Sequence, residues 1–527
     1  MIRVLYRGSS SACLELVNDS PYDAPEQFEI YLNQMLQRTC AANVFSLYSL
    51  NPDTEYSIRI RFLQSGDEDT VSFRTEPESI AVDIRAFGAK GDGVADDTGA
   101  IQTAIHFLPA NGRLILPEGT YRTRPLALKS HMTLEICEGA VLQAIPDRSV
   151  YPVLPAEIGT GEDSRISGTF EGVPKPMYQS LLSAQNAEGI AVVGPGTVDG
   201  NAQNSDFWTA FREDPIARPR LVSLLHCKDI VLHGILACNS PSWHLHPFHC
   251  ENVSILDVSV QAPDNSPNTD AIDPEGCDRV DIIGCRLSVG DDCIAVKSGK
   301  IELSRRFSWP ADNHTIRNCL MERGHGAVTL GSEIAMGVRN LNVSQCRFVE
   351  TDRGLRIKTR RGRGKDCDIT DVAFDNLRME KVLTPIVINM WYNCCDPDRY
   401  SEYVWSREHL PVDDRTPHLG SFRFTNMECT NASVAACYID GLPEMPIDSV
   451  TFENVRISFD PQAAPGVPAM QNFAEKRCRL GLFFENVRSI SLKNVILKGV
   501  CGQGIITNFC GTVEKDGFTE EAECTTV

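Results

Sequence analysis

The feature that most constrains this chain is a short pattern that recurs between positions 230 and 495, roughly every 23 to 34 residues where it is uninterrupted. It reads apolar-x-apolar-x-(Asn, Gly or Asp)-apolar and occurs at Ile230–Ile235, Val253–Val258, Val280–Cys285, Leu341–Cys346 (with Gln345 at the turn position), Val372–Leu377, Phe422–Met427, Val450–Val455 and Ile490–Val495. A weaker copy, His314–Cys319, fills the widest gap. Alternating apolar positions bury one face of a strand, and no unit of this size buries that face alone, so the copies must stack. The Asn, Gly or Asp before the last apolar residue suits a turn with left-handed backbone. Leucine-rich repeats have a comparable period, but their Leu-rich signature and their helix per repeat are missing. The pattern predicts an all-β chain built as a parallel β-helix. Residues 201–220, 299–313 and 392–420 interrupt it, and their Trp, Arg and Pro content suits loops that wall a groove.

Four segments carry the chemistry. On their apolar residues, Asp270-Ala-Ile, Asp292-Cys-Ile, Gly326-Ala-Val and Leu355-Arg-Ile fall into register. If each is the same strand in successive coils, neighbours lie about 4.8 Å apart. Asp270 and Asp292 then share one column, Asp291 and His325 share the next, and Trp243 precedes Asp270 by one coil as a candidate sugar-stacking residue. Stacked carboxylates repel, so one needs a raised pKa or a cationic neighbour. A ladder built for stability alone would carry Asn, Thr or an apolar residue there; the plain structural alternative is a solvated acidic edge or a calcium ladder. Strict alternation would turn Asp291 away from Asp292, so a twist at the strand end is required. Arg356 and Lys358, on alternate positions, share a face and suit a carboxylate, one through a bidentate fork and the other as a point charge. His244, His246 and His249 come without a Cys-x-x-Cys or His-Glu-x-x-His pattern, so no metal is expected, and no cofactor is called for.

A formal charge of −20 excludes nucleic acid or an anionic membrane as the main partner. The basic stretch Arg356–Lys365 stands out against that background and suits an acidic substrate. No apolar run is long enough for a signal peptide or a membrane span. The 20 cysteines mostly sit where other coils carry Val, Leu or Met, so they read as reduced, buried hydrophobes. The expected location is the cytoplasm. Nothing in the sequence fixes an oligomeric state.

Residues 1–78 differ from the rest, with short β-prone runs separated by polar turns, as in a small sandwich. Within them, Leu50-Asn-Pro52-Asp-Thr54-Glu-Tyr56 resembles the Leu-x-Pro-x-Thr-x-Tyr turn of fibronectin type III domains. The expected division is 1–78, a fibronectin type III-like β-sandwich, and 79–527, the β-helix. From Asp83 to Gly93 a Gly-rich turn leads into a short helix with Asp97 or Thr98 as N-cap. No βαβ unit follows it, so a nucleotide site is not indicated. With Arg113–Tyr121 it resembles the N-terminal cap of the pectin-degrading right-handed β-helices.

Asn268-Thr-Asp270, Gly290-Asp291-Asp292, Gly324-His325-Gly326 and Arg356-Ile-Lys358 resemble, in order, the four signature motifs of the polygalacturonases, glycoside hydrolase family 28. Ala271 stands where that family usually has Gly. The resemblance implies hydrolysis of α-1,4-linked galacturonate, in an oligosaccharide or polysaccharide, with inversion at the anomeric carbon. It makes Asp291 the general acid and Asp270 and Asp292 the pair that holds and deprotonates water, with acid and base about 6.5 to 9.5 Å apart. His325 would tune the acid, Arg356 and Lys358 would hold the sugar carboxylate, and Tyr392 falls where a substrate-contacting tyrosine is common. The N-terminal domain and long insertions resemble exo-acting bacterial members, so exo action is expected. A rhamnogalacturonan or xylogalacturonan hydrolase, a calcium-dependent pectate lyase and a noncatalytic pectin-binding β-helix are the alternatives.

Overall fold

The structure is a computed structural model that describes residues 1–159, 165–393 and 401–521. Its main body is a right-handed parallel β-helix. Ile230, Val253, Val280, His314, Leu341, Val372, Phe422, Val450 and Ile490 are direct partners in successive strands, so all nine copies of the pattern occupy one column. The turn residues that follow are left-handed as expected, with φ of 51° at Asp257, 52° at Asn318, 53° at Asn426 and 55° at Asn454. Asparagine adds to this by stacking: Asn454 donates to Asn426 at 3.0 Å, and Asn494 donates to Asn454 at 2.9 Å.

Inside the coils one apolar column runs the length of the body, from Ile84 to Leu497. Cysteines enter it as small hydrophobes. The backbone N–H of Cys227 points at the Cys250 sulfur, and that of Cys250 at the Cys277 sulfur, at 3.4 and 3.3 Å. The described cysteines are all free thiols. The helix Thr98–Phe107 lays Ile101, Ala104 and Ile105 over the first coil. Asp97 is its N-cap residue, but the carboxylate accepts from the Lys90 and Gly91 N–H groups and so closes the Gly-rich turn instead.

A second ladder, of seven strands from Ile294–Val296 to Ile505–Asn508, carries the candidate site. Single bridges extend it back through Ile272 to Leu245. Here one expectation is corrected. Leu355 pairs with Val328 and Arg356 with Thr329, two residues from the alignment that set Leu355 beside Gly326. A slip of two preserves which face each side chain takes, so Arg356 and Lys358 still point outward together.

In the N-terminal part, Ile2–Arg7, Ala12–Leu16 and Val44–Leu47 form one sheet. Asp23–Leu32, Met35–Ala42, Glu55–Phe62 and Glu68–Arg74 form the other. The two close over Leu14, Phe28, Ile30, Phe45, Ile58 and Ile60. The Tyr56 hydroxyl accepts from the Asn51 N–H at 2.8 Å, which locks the turn singled out in the sequence. This sandwich rides on the left-handed turns of the β-helix. Ser46 donates to Asp257 and Asn43 to Asn318, while Gln345 and Asn376 donate to the Asn18 and Asp19 carbonyls. Glu15, buried, accepts from Arg317 and Asn318.

Residues 201–220 and 299–310 leave the coils as expected, and so does the described part of 392–417, whereas 311–313 and 418–419 already belong to coil strands; residues 394–400 lie outside the described set. Two further excursions carry no signal in the repeat. One holds the hairpins Val153–Leu154 with Met177–Tyr178 and Thr169–Phe170 with Val173–Pro174. The other runs from 460 to 479.

Candidate active site

The strand alternation breaks where the acidic residues stand. Ala271 and Ile272 are both buried in the core, as are Cys293 and Ile294, and Ala327 and Val328. Two consecutive inward residues turn the preceding ones outward. Asp270, Asp291 and Asp292 lie in the bent backbone before these strands begin. One oxygen from each falls within 4.8 Å of the others. That is the strand-end twist the sequence required. It is also tighter than the gap of about 6.5 to 9.5 Å expected between acid and base.

Asp292 accepts from Lys358 Nζ at 2.7 Å and Arg356 at 3.0 Å, so both oxygens are engaged by cations. Burial pushes its pKa up, but Lys358 and Arg356 outweigh burial and hold it well below the usual carboxylate range. Gly326 leaves room for this meeting: a Cβ there would lie 2.9 Å from Asp292 Oδ1 and 3.4 Å from Arg356 Cδ. Asp270 is the opposite case. It is 3% exposed, its Oδ1 has no hydrogen-bond partner among the described residues, and burial followed by the Asp291 charge raises its pKa to about 8. Asp291 is more open, at 21%, and faces His325 Nδ1 at 3.3 Å. That contact raises the His325 pKa against the opposing effect of burial.

Beneath the triad lies a charged floor that the sequence analysis missed. Lys297 is buried, 3.2 Å from Glu333 and 3.5 Å from Asp273. It also sits 4.4 Å from the Trp243 ring centre, and Arg220 lies 4.1 Å from the same ring. Trp243 therefore lines the cleft in the column of Asp270, with two cations packed on its ring. Burial, countered mainly by Lys297, leaves the Glu333 pKa lowered to about 2. The available signal was alternation: Asp273, Glu275 and Lys297 sit two residues apart or in register on the outward face. Arg220 lies in an interruption and gave none.

Tyr392 stands past the end of the strand Thr384–Asn389, bridged to Gln471, and lines the same cleft. His244, His246 and His249 do not converge. His244 bonds the Asp270 carbonyl, His246 bonds Glu275, and His249 faces His226. Among the described residues, the triad itself is the one cluster with metal-ligand spacing, and Lys358 and Arg356 already engage Asp292 there.

The cleft over these residues encloses about 500 Å³. Phe170 and Glu171 wall one side, and Val467, Ala469 and Met470 wall another. The hairpin tip is held by the Lys300 N–H, which donates to the Gly172 carbonyl at 3.1 Å. The second wall is held by Arg353, which donates to the Val467 carbonyl at 2.6 Å, and by Asn389, which donates to that of Met470 at 3.0 Å.

Residues 165–472 match the family model for glycosyl hydrolases of family 28, and residues 81–135 match one for rhamnogalacturonase A/epimerase, pectate lyase-like proteins. A probable polygalacturonase from Vitis vinifera is 30% identical over 411 residues, covering 75% of this chain and 77% of its own. The hyperthermoactive exopolygalacturonase of Thermotoga maritima superposes with a TM-score of 0.63 at 26% identity, over 79% of this chain and 91% of that one. The family 28 exopolygalacturonase of Yersinia enterocolitica matches 99% of this chain and 98% of its own at 18% identity, with a TM-score of 0.70, and so shares the whole architecture. The cytoplasmic location expected from the sequence is corrected by these relationships to plant and bacterial polygalacturonases.

Proposed function

The chain belongs to family 28 of the glycosyl hydrolases, and on that basis we propose that it hydrolyses α-1,4-linked galacturonate in pectin or its oligosaccharides. The observation that carries this reading is the division of labour in the triad. One carboxylate is clamped in its ionised form by Arg356 and Lys358, a second is buried with a raised pKa, and the third opens to the cleft beside His325. Asp291 is the general acid: it reaches the leaving oxygen and gives it a proton as the glycosidic bond breaks. Asp292, with Asp270 beside it, orients a water molecule and takes its proton as the new C–O bond forms. Arg356 and Lys358 also offer their remaining donors to a sugar carboxylate, and Tyr392 borders that sugar.

Inversion is the proposed outcome despite the short carboxylate spacing, which lies nearer the value of about 5 to 5.5 Å typical of retaining sites. Retention needs a free, ionised nucleophile. Asp292 is pinned by cations on both oxygens, which blunts attack on carbon but leaves lone pairs free to accept a proton from water, and Asp270 holds its proton up to about pH 8. A carboxylate pair that grips water from one side removes the need for a wide gap. Exo action is supported by the two walls of the cleft, the hairpin tip at Phe170 and Glu171 and the segment at 467–470. We likewise propose that the chain divides near residue 78 into sandwich and β-helix.

The test is digestion of trigalacturonate and polygalacturonate while the product anomer is followed by NMR. Monomer released from one end with inverted configuration is expected. Retained configuration removes the proposed roles, random mid-chain cleavage removes exo action, and an unsaturated, ultraviolet-absorbing product removes hydrolysis itself.

A further inference from the structure

A second cavity, of about 630 Å³, adjoins the cleft, and the two share Phe170, Glu171, Asn268, Asp291 and His325. Asp291 therefore has a cavity on each side. The charges in this second cavity are unbalanced in a specific way. Its acids are engaged: Asp214 with Arg148 and Tyr178, Asp264 with Arg323, Asp291 with His325, and Glu171 also has a partner. Its cations are not. Among the described residues, Lys175, Arg212 and Arg218 make no ion pair with any carboxylate; Lys175 rests over Phe170, while Arg212 and Arg218 rest over Phe211.

Arg218 carries the argument furthest. It is 3% exposed, yet its bonds go only to neutral oxygens: the Pro241 and Pro267 carbonyls at 2.9 and 2.8 Å, and Asn268 Oδ1 at 2.6 Å. Its Nε is buried without a partner. A buried guanidinium without a counter-ion is costly, and the cost falls when an anion arrives. Burial, with Arg220 nearby, lowers its pKa to about 10 against the opposing charges of Asp270, Glu171 and Asp291.

We propose that this second cavity is a carboxylate-binding subsite in which Arg218, flanked by Arg212 and Lys175, holds the galacturonate on the far side of Asp291 from the one held by Arg356 and Lys358. It rests on the galacturonan reading above and adds that acidic sugars are read on both sides of the cleaved bond. A neutral sugar at this position leaves Arg218 unpaired, so the subsite selects for an unesterified residue.

The experiment measures kcat and KM on trigalacturonate and on its carboxyl-reduced, neutral counterpart, for the wild type, R218Q, R218K and the surface double variant K175Q/R212Q. A tenfold or greater rise in KM for trigalacturonate is expected in R218Q, with a kcat loss of less than threefold and a smaller KM rise in R218K. The double variant, which touches no buried group, should raise KM about threefold. In each case the preference for the charged over the neutral trisaccharide should fall. A double variant and an R218K that keep wild-type KM and preference overturn the subsite, whether or not R218Q folds. A wild type that releases no reducing ends from either galacturonan overturns the functional reading and this proposal together, and so is told apart from failure of the subsite alone.

Discussion

Asp292 and Asp270 have an oxygen apiece within 4.8 Å of each other and titrate in opposite directions. Losing Lys358 should remove the larger cationic effect on Asp292 and leave Arg356 as its remaining hydrogen-bonded cation against burial, so K358M should move the acid limb of kcat/KM to higher pH, which a pH–rate profile reads directly. Asp270 affects stability with the other sign. From about pH 4 to about pH 8 the folded chain keeps its proton while the unfolded chain has lost it, so stability falls as pH rises through that window. D270N removes the penalty. The gain in stability should grow with pH from almost nothing at pH 4 to an upper bound on the order of 5 kcal/mol at pH 8, measured by thermal melts, while turnover collapses. D291N should lower kcat about a thousandfold with KM within a factor of three, since general acids contribute roughly 10² to 10⁴; near-normal turnover would remove Asp291 from its role.

At the level of the element, the β-helix was legible because one column of side chains and one turn conformation recur. Nine copies fell in register, and the polar residue after each second apolar position proved left-handed in each case. That left-handed turn predicts its own mutants. Asn454 has φ of 55°, and its side-chain amide donates one hydrogen bond and accepts another in the stack. N454A should cost about 1 to 2 kcal/mol in chemical denaturation, and N454G less, because glycine keeps the backbone and loses only the bonds. The sequence was less informative where alternation stops. Consecutive inward residues such as Cys293 and Ile294 brought Asp291 and Asp292 together, and no period-two rule contains that bend. The Leu355 segment slipped by two because apolar residues at both 355 and 357 satisfy the pattern equally. Loops that escape the repeat altogether supplied Arg218, Arg220 and the 467–470 wall, where no periodicity marks a position.

For the whole molecule, the sandwich and the β-helix are joined through the turns of the latter. Gly284, with φ of 74°, lies against Val44, where an added Cβ would come to 2.5 Å. G284A should destabilise the docked chain by about 1 to 3 kcal/mol and open the segment near residue 78 to proteases, read by melts and limited digestion. The carboxylates at 291 and 292 lie one short strand, Arg286–Ser288, beyond that turn.

The sulfur atoms queued through the coil interior have a practical sequel. Cys227, Cys250 and Cys277 are shut away as long as the rungs stay zipped, whereas Cys501 faces solvent. A thiol-reactive dye should therefore label the rim at once and the interior only as successive rungs part, so that the time course of labelling clocks, rung by rung, how the spiral unwinds.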